Sequence, residues 1–260
     1  MHNNFILFSK ENTIAVIKLN RPDKFNCFNR EMALQMQSAL DDAANDKIIR
    51  AIYITGEGKA FCAGQDLSEA MDANGPGIAK IVDEHYNPII KRIRAIEKPI
   101  VCGVNGVAAG AGANIALACD VVVAGKSASF LQAFSKIGLI PDSGGTFFLP
   151  RLIGIQRASA LMMLGDKVVA ADALQYGMLY KVFDDNELQQ GALALAQILA
   201  QMPTKGLGLT KRLLNQSFTN NLDGQLQAEL TEQVNAANSY DYNEGVNAFL
   251  EKRKPVFKGE

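Results

Sequence analysis

Two apolar runs with an amphipathic segment between them constrain this chain more than any other feature. "TIAVIKLN" (13–20) and "IRAIYITG" (49–56) are β-rich and bounded by turn formers, and "REMALQMQSALDDAAND" between them repeats its apolar residues at helical spacing. Strand, helix and strand in that order make a βαβ unit. The pattern continues: "KPIVCGVNG" (98–106) follows a helix-like stretch from Ile78 to Ile96, and "DVVVAG" (120–125) follows a shorter one from about Ala111 to Cys119. Repetition with short connections predicts a largely parallel α/β arrangement. From Pro150 the pattern turns helical, through "RASALMMLG", "AADALQYG" and "ELQQGALALAQILAQM" to "DYNEGVNAFLEKRKPVF". We therefore expect an α/β core over residues 1–200 and an α-helical region over residues 201–260.

Composition narrows the function. The chain has 260 residues, 48% of them hydrophobic, enough for one large core. Its 26 basic and 27 acidic residues nearly cancel and form no Lys/Arg block, so neither nucleic acid nor an anionic membrane is an expected partner; a small molecule is. No stretch reaches the roughly 18 apolar residues of a membrane span, and a soluble, cytoplasmic protein is expected. Cys27, Cys62, Cys102 and Cys119 are scattered and make no CxxC pair, which suits small buried hydrophobes in a reducing compartment, with no metal or disulfide role. His2 and His85 are the only histidines, so a Ser-His or Cys-His relay has almost nothing to be built from. Gly110 and Gly112 give a GxG, yet Ile115 stands where the third glycine of a dinucleotide loop belongs and Asp120 comes too soon for its acid. No nicotinamide or flavin is expected.

Two segments, "GKAFCAGQDLSEA" (58–70) and "VNGVAAGAGANIALACD" (104–120), read as loops of low bulk that leave strands and enter helices. Small residues let backbone amides approach a ligand, and free N–H groups at a helix start carry partial positive charge, so two such amides converging would form an oxyanion hole. Close helix-to-sheet packing explains the same composition. "GLIPDSGGT" (138–146) poses a similar choice: Asp142 is either a helix N-cap or Asx-turn residue or the acid of a reaction.

"NRPDKFNCFN", "GKAFCAGQDL", "VNGVAAGAGANIALACDVVVA" and "SKIGLIPDSGGTFFLPRLIG", in that order, resemble the signatures of the enoyl-CoA hydratase/isomerase, or crotonase, superfamily. The resemblance implies a spiral core of ββα turns with a C-terminal helical region for oligomerisation and active-site cover. It also implies homotrimers or dimers of trimers, acyl-CoA thioester substrates, and an enolate held by two backbone amides. Coenzyme A then arrives as part of the substrate and no other cofactor is needed. Carried over by motif, those amides belong to Gln65 and Ala111. Lys24 and Phe25 match the segment near the CoA nucleotide, although Lys24 is equally a solvated surface lysine. Ala63, Asp66 and Leu67 fall where the family contacts the rest of the CoA substrate.

The two glutamates of the hydratase pattern are replaced here by Asn114 and Phe134, neither of which is an acid or base. The resemblance therefore implies an isomerase with Asp142 as its one base. Asn114 either orients substrate or is a polar structural residue of its helix, and Phe130, Phe134 and Phe147 either line an aromatic pocket or belong to the core. Apolar neighbours such as Phe134, Ile140 and Phe147 would raise the Asp142 pKa above its usual value of about 3.9. "FCAGQDL", "YNP", "GLGLTKRLLN" and the C-terminal "DYNEGVNAFLEKRKPVF" further resemble the branch that isomerises a ring epoxide in bacterial phenylacetate degradation. The competing readings are a general fatty enoyl-CoA isomerase, a hydratase or thioester hydrolase, and an acyl-CoA-binding scaffold without turnover.

Overall fold

A computed structural model describes residues 4–260; His2 lies outside the described residues. The first βαβ unit forms as its pattern demands. Strands β2 (Ile14–Leu19) and β3 (Ala51–Gly56) run parallel, with Ile14 opposite Ala51 and Leu19 opposite Gly56. The Arg30–Asn45 helix crosses between them, started by Asn29, whose side chain accepts the Met32 N–H at 2.9 Å. Its Met32, Met36 and Leu40, spaced by four, are buried completely against the sheet. Strand β1 (Ile6–Glu11) closes that edge antiparallel to β2.

Three successive strand pairs then build a spiral: β3 with β4 (Ala60–Cys62), β5 (Ile100–Val104) with β6 (Val107–Ala109), and β7 (Val121–Gly125) with β8 (Ser129–Leu131). The first member of each pair joins a six-stranded sheet in the order β1-β2-β3-β5-β7-β10, and the second joins a four-stranded sheet in the order β4-β6-β8-β9. Here β9 is Lys167–Val169 and β10 is Lys181–Phe183. β3, β5 and β7 are parallel to one another, as are β4, β6 and β8, and helices follow each pair. These are the expected ββα turns. The two glycine-rich segments that read as loops each contain a three-residue strand, β4 and β6. β9 and β10 likewise interrupt a stretch that reads as wholly helical, because three residues are too few to show a period.

The helix-like stretch from Ile78 to Ile96 is one helical run with a change of pitch. An α turn, Gly77–Lys80, leads into a π turn, Ile81–Tyr86, and then into α-helix Asn87–Ala95. Pro88 lacks the N–H that would continue the i to i−4 ladder, and immediately before it the Asn87 N–H reaches back five residues to the Val82 carbonyl.

In the C-terminal half, helix Leu188–Ala200 packs Leu188, Ala192, Ala196 and Ala200 on the outer face of the large sheet. Helix Thr204–Gln216 is tied to the core by Lys211, whose Nζ lies 2.8 Å from Asp120. Helices Leu222–Ala237 and Tyr240–Leu250 leave Leu222, Leu226, Leu230, Val234 and Phe249 more than half exposed. Among the described residues no helix is long and apolar enough to cross a membrane. Cys62, Cys102 and Cys119 are buried free thiols, and Cys27 is half-buried.

Candidate active site

The C-terminal ends of β4 and β6 open into a cavity of about 550 Å³, closed by the π turn and by the loop leading into helix Gly145–Ile153. That volume lies within the range of small-molecule sites. Ala63, Gly64 and Gln65 enter it from β4, and Ala109, Gly110 and Ala111 from β6. Glycine lets the two loops touch: a Cβ on Gly64 would stand 3.1 Å from the Ala109 carbonyl oxygen, and one on Gly112 only 2.4 Å from that of Cys62.

Both amides of interest are left without a backbone partner. The bridge between Phe28 and Gln65 uses the Gly64 carbonyl (2.7 Å) and the Asp66 N–H (2.8 Å), which leaves the Gln65 N–H outside the pairing. Ala111 is the first residue of helix Ala111–Leu117, so its N–H has no intrahelical acceptor. The Cβ position of Gly64 is 3.9 Å from the Ala111 nitrogen. Two free N–H groups on adjacent cavity walls are what stabilisation of an oxyanion requires.

Asp142 faces the same cavity. Its carbonyl accepts the Gly145 N–H at 2.8 Å and so makes the turn, while helix Gly145–Ile153 is capped by Gly144 with no side-chain bond. The N-cap reading of Asp142 therefore fails: the carboxylate accepts from the Ser143 hydroxyl at 2.9 Å instead. Burial raises its pKa above the ordinary carboxylate value, partly offset by the Ser143 bond. Asp142 and Tyr86 are the titratable groups of the cavity lining, which among the described residues includes no Lys, Arg or His.

Asn114 sits behind this wall rather than in it. Its amide donates to the Asp142 carbonyl at 2.8 Å and accepts from Gln132 at 2.7 Å, so the substrate-orienting reading gives way to one internal to the protein. Phe134 does line the cavity, beside Gly110. The other two phenylalanines do not: Phe130 belongs to the main core, and Phe147 stacks edge-on against Phe148 and Phe218 with Arg151 over its ring.

Leu67 lines the cavity mouth and is 55% exposed. Asp66 caps the short Leu67–Ala70 helix and pairs with Arg21 at 3.0 Å, outside the lining. Lys24 and Phe25 are exposed on a turn next to the cavity, joined to it where the Phe25 carbonyl accepts the Ala63 N–H at 2.9 Å.

Tyr86, Ser143 and Gln132 were not singled out from the sequence. The Tyr86 hydroxyl donates to Gln65 Oε1 at 2.8 Å, and Gln65 Nε2 reaches Glu69 at 2.9 Å, which holds Gln65 in place at the cavity wall. The sequence signal for Tyr86 was the "YNP" motif, whose proline two residues on shifts the helix pitch.

The enoyl-CoA hydratase/isomerase profile matches residues 9–260. The chain belongs to the enoyl-CoA hydratase/isomerase family. It is 47% identical over 259 residues to the 1,2-epoxyphenylacetyl-CoA isomerase of Escherichia coli (strain K12), covering 98% of this chain and 99% of that protein. It is 36% identical to the trans-2-decenoyl-(acyl-carrier-protein) isomerase of Streptococcus mutans serotype c, covering 98% of each. The crystal structure of the enoyl-CoA hydratase from Bacillus anthracis superposes with a TM-score of 0.92 at 31% identity, covering 98% of this chain and 100% of that one. Since this family contains both isomerases and hydratases, the reaction has to be argued from the site.

Proposed function

We propose that this protein isomerises acyl-CoA thioesters by a proton shuttle on Asp142, and that its main substrate is the ring 1,2-epoxide of phenylacetyl-CoA, converted to the oxepin thioester. The observation that carries the reading is that one carboxylate faces the cavity, on the same chamber as the free N–H groups of Gln65 and Ala111. Ionised, Asp142 removes a proton from the carbon next to the thioester. The negative charge moves to the thioester oxygen, where each N–H contributes about 2.7 to 4 kcal/mol of transition-state stabilisation. The same carboxyl then returns the proton to the γ carbon. In a 3-enoyl-CoA this moves the double bond to the 2,3 position. In the ring epoxide the shared ring bond opens by electron reorganisation and the same shift fixes the seven-membered product. Nothing is added or lost, and the thioester is the electron sink, so no further cofactor is needed.

Hydration needs a second acid or base on the water, and the glutamate positions of the hydratase pattern hold Asn114 and Phe134. Apart from the Asp142 carboxylate the lining is largely apolar, with no Lys, Arg or His among the described residues, which favours a neutral acyl group. Lys24, Phe25, Asp66 and Leu67 are the candidate contacts for the CoA portion, beside Ala63. The exposed leucines at four-residue spacing on helix Leu222–Ala237 support a homotrimer or dimer of trimers. Free thiols and a CoA substrate suit the cytoplasm.

A general 3-enoyl-CoA isomerase is the second reading, favoured by the likeness to the S. mutans isomerase. Turnover of the ring epoxide and of straight-chain 3-enoyl-CoA by the purified protein, followed by mass spectrometry, separates the two. A kcat/KM clearly higher for the epoxide supports the main reading, and preference for the straight chain supports the second. Addition of water to a 2-enoyl-CoA or release of free CoA at comparable rates contradicts both.

A further inference from the structure

We propose that Asn114 and Gln132 form a buried amide relay whose task is to position Asp142, an inference that rests on Asp142 being the base. Asp142 stands on a loop with two successive left-handed residues, Ser143 at φ 51° and Gly144 at φ 74°. For serine that conformation is strained and persists only where the surroundings dictate it. The Asp142 carbonyl is the point at which they do. It accepts from two sides, the Gly145 N–H at 2.8 Å and Asn114 Nδ2 at 2.8 Å.

The relay has one working direction. Gln132 Nε2 donates to Asn114 Oδ1 at 2.7 Å, and both side chains are almost wholly buried. Reversing Gln132 alone would set two carbonyl oxygens against each other. Reversing both amides would turn Asn114 Oδ1 onto the Asp142 carbonyl. The observed direction leaves Gln132 Oε1 buried without a partner. A buried acceptor is normally satisfied, so the unpaired oxygen marks where the relay ends and indicates that the Asp142 end decides its orientation.

Packing adds an independent constraint. A Cβ on Gly145 would lie 2.4 Å from Asn114 Nδ2 and 2.8 Å from its Oδ1. The backbone that carries the carboxylate therefore rests directly on the Asn114 amide, and neither can move without the other. Asn114 acts through Asp142 and is not itself among the residues that line the cavity, so it is a positioning residue.

The test compares Asn114→Ala, Gln132→Met and Gly145→Ala with wild type, and with Asp142→Asn as control, on a 3-enoyl-CoA substrate. A displacement of about 1 Å at a reacting group costs roughly a hundredfold. The relay predicts a loss of that order in kcat for Asn114→Ala and Gly145→Ala, and a smaller loss in the same direction for Gln132→Met. KM and the affinity for an unreactive acyl-CoA stay at wild-type values. Gln132→Met discards the unpaired oxygen, so its Tm stays near wild type while its kcat falls, a split that a purely structural role would not produce. If Asn114→Ala does not fold, Gln132→Met decides alone. Wild-type kcat in the folded variants, or a rise in KM at unchanged kcat, overturns the relay. If Asp142→Asn is inactive in that case, the base assignment stands and only the positioning role falls; an active Asp142→Asn removes the assignment itself.

Discussion

Burial raises the Asp142 pKa, and the Ser143 hydroxyl bound to the carboxylate at 2.9 Å pulls it partly back. Both effects are measurable. A base works ionised, so kcat/KM should fall as pH drops through a pKa above the ordinary carboxyl value of about 3.9. Between the unfolded and the raised folded pKa the native state binds more protons, so this group's contribution to stability declines as pH rises through that window. Asp142→Asn should therefore have a higher Tm than wild type at pH 7, with the gain vanishing below the unfolded pKa, as thermal melts across that range would record. Ser143→Gly removes the hydroxyl donor and relieves the left-handed φ of 51°. Its pH–rate profile should shift its acid limb to higher pH without loss of Tm. An unshifted limb would show that the hydroxyl does not tune the base.

The start of helix Ala111–Leu117 depends on one residue's freedom. Gly110 caps it at φ 52°, ψ −126°, a conformation side chains rarely adopt, and its amide donates to Leu131 at 2.8 Å. A Cβ there would meet only Phe134 at an ordinary 3.5 Å, so the objection to a side chain is conformational. Gly110→Ala should cost about 1–3 kcal/mol of stability and lower kcat by turning the Ala111 N–H away, seen together in denaturant titration and turnover. The long elements around this helix were legible in the sequence, because the Arg30–Asn45 helix and strands β2, β3 and β5 each repeat their pattern over enough residues. β4 and β6 were not: three residues of Ala, Phe, Cys or Val next to glycines look like loop. Gln65, Ala111 and Asp142 were found as candidates through motif order, and their meeting at one cavity is a product of the spiral. Asn114 stayed open between two readings because its partners lie 18 and 28 residues away, and the role of Tyr86 was not legible because its partner lies 21 away. No local pattern encodes such pairings.

At the scale of the whole molecule, the C-terminal helices are tied to the core yet leave one apolar stripe bare. Lys211 pairs with Asp120 at 2.8 Å and Asn215 accepts from Arg94 at 2.6 Å, and the two contacts hold helix Thr204–Gln216 to the core. Beyond it Leu222, Leu226, Leu230 and Val234 repeat every fourth residue and stay exposed, Leu222 at 72%. A stripe of that kind favours association. Light scattering should find an oligomer for wild type and a smaller species for Leu226→Glu combined with Leu230→Glu, with helical circular dichroism retained; a monomeric wild type would contradict this. The proposed reaction depends on one carboxylate moving one proton. Its most direct test is the conversion of a 3-enoyl-CoA to the 2-enoyl isomer in D2O, by wild type and by Asp142→Asn, with mass spectrometry of the product. Isomerisation by wild type and none above background by the variant, with acyl-CoA binding intact, is the expected result. An Asp142→Asn protein that isomerises at the wild-type rate would contradict it.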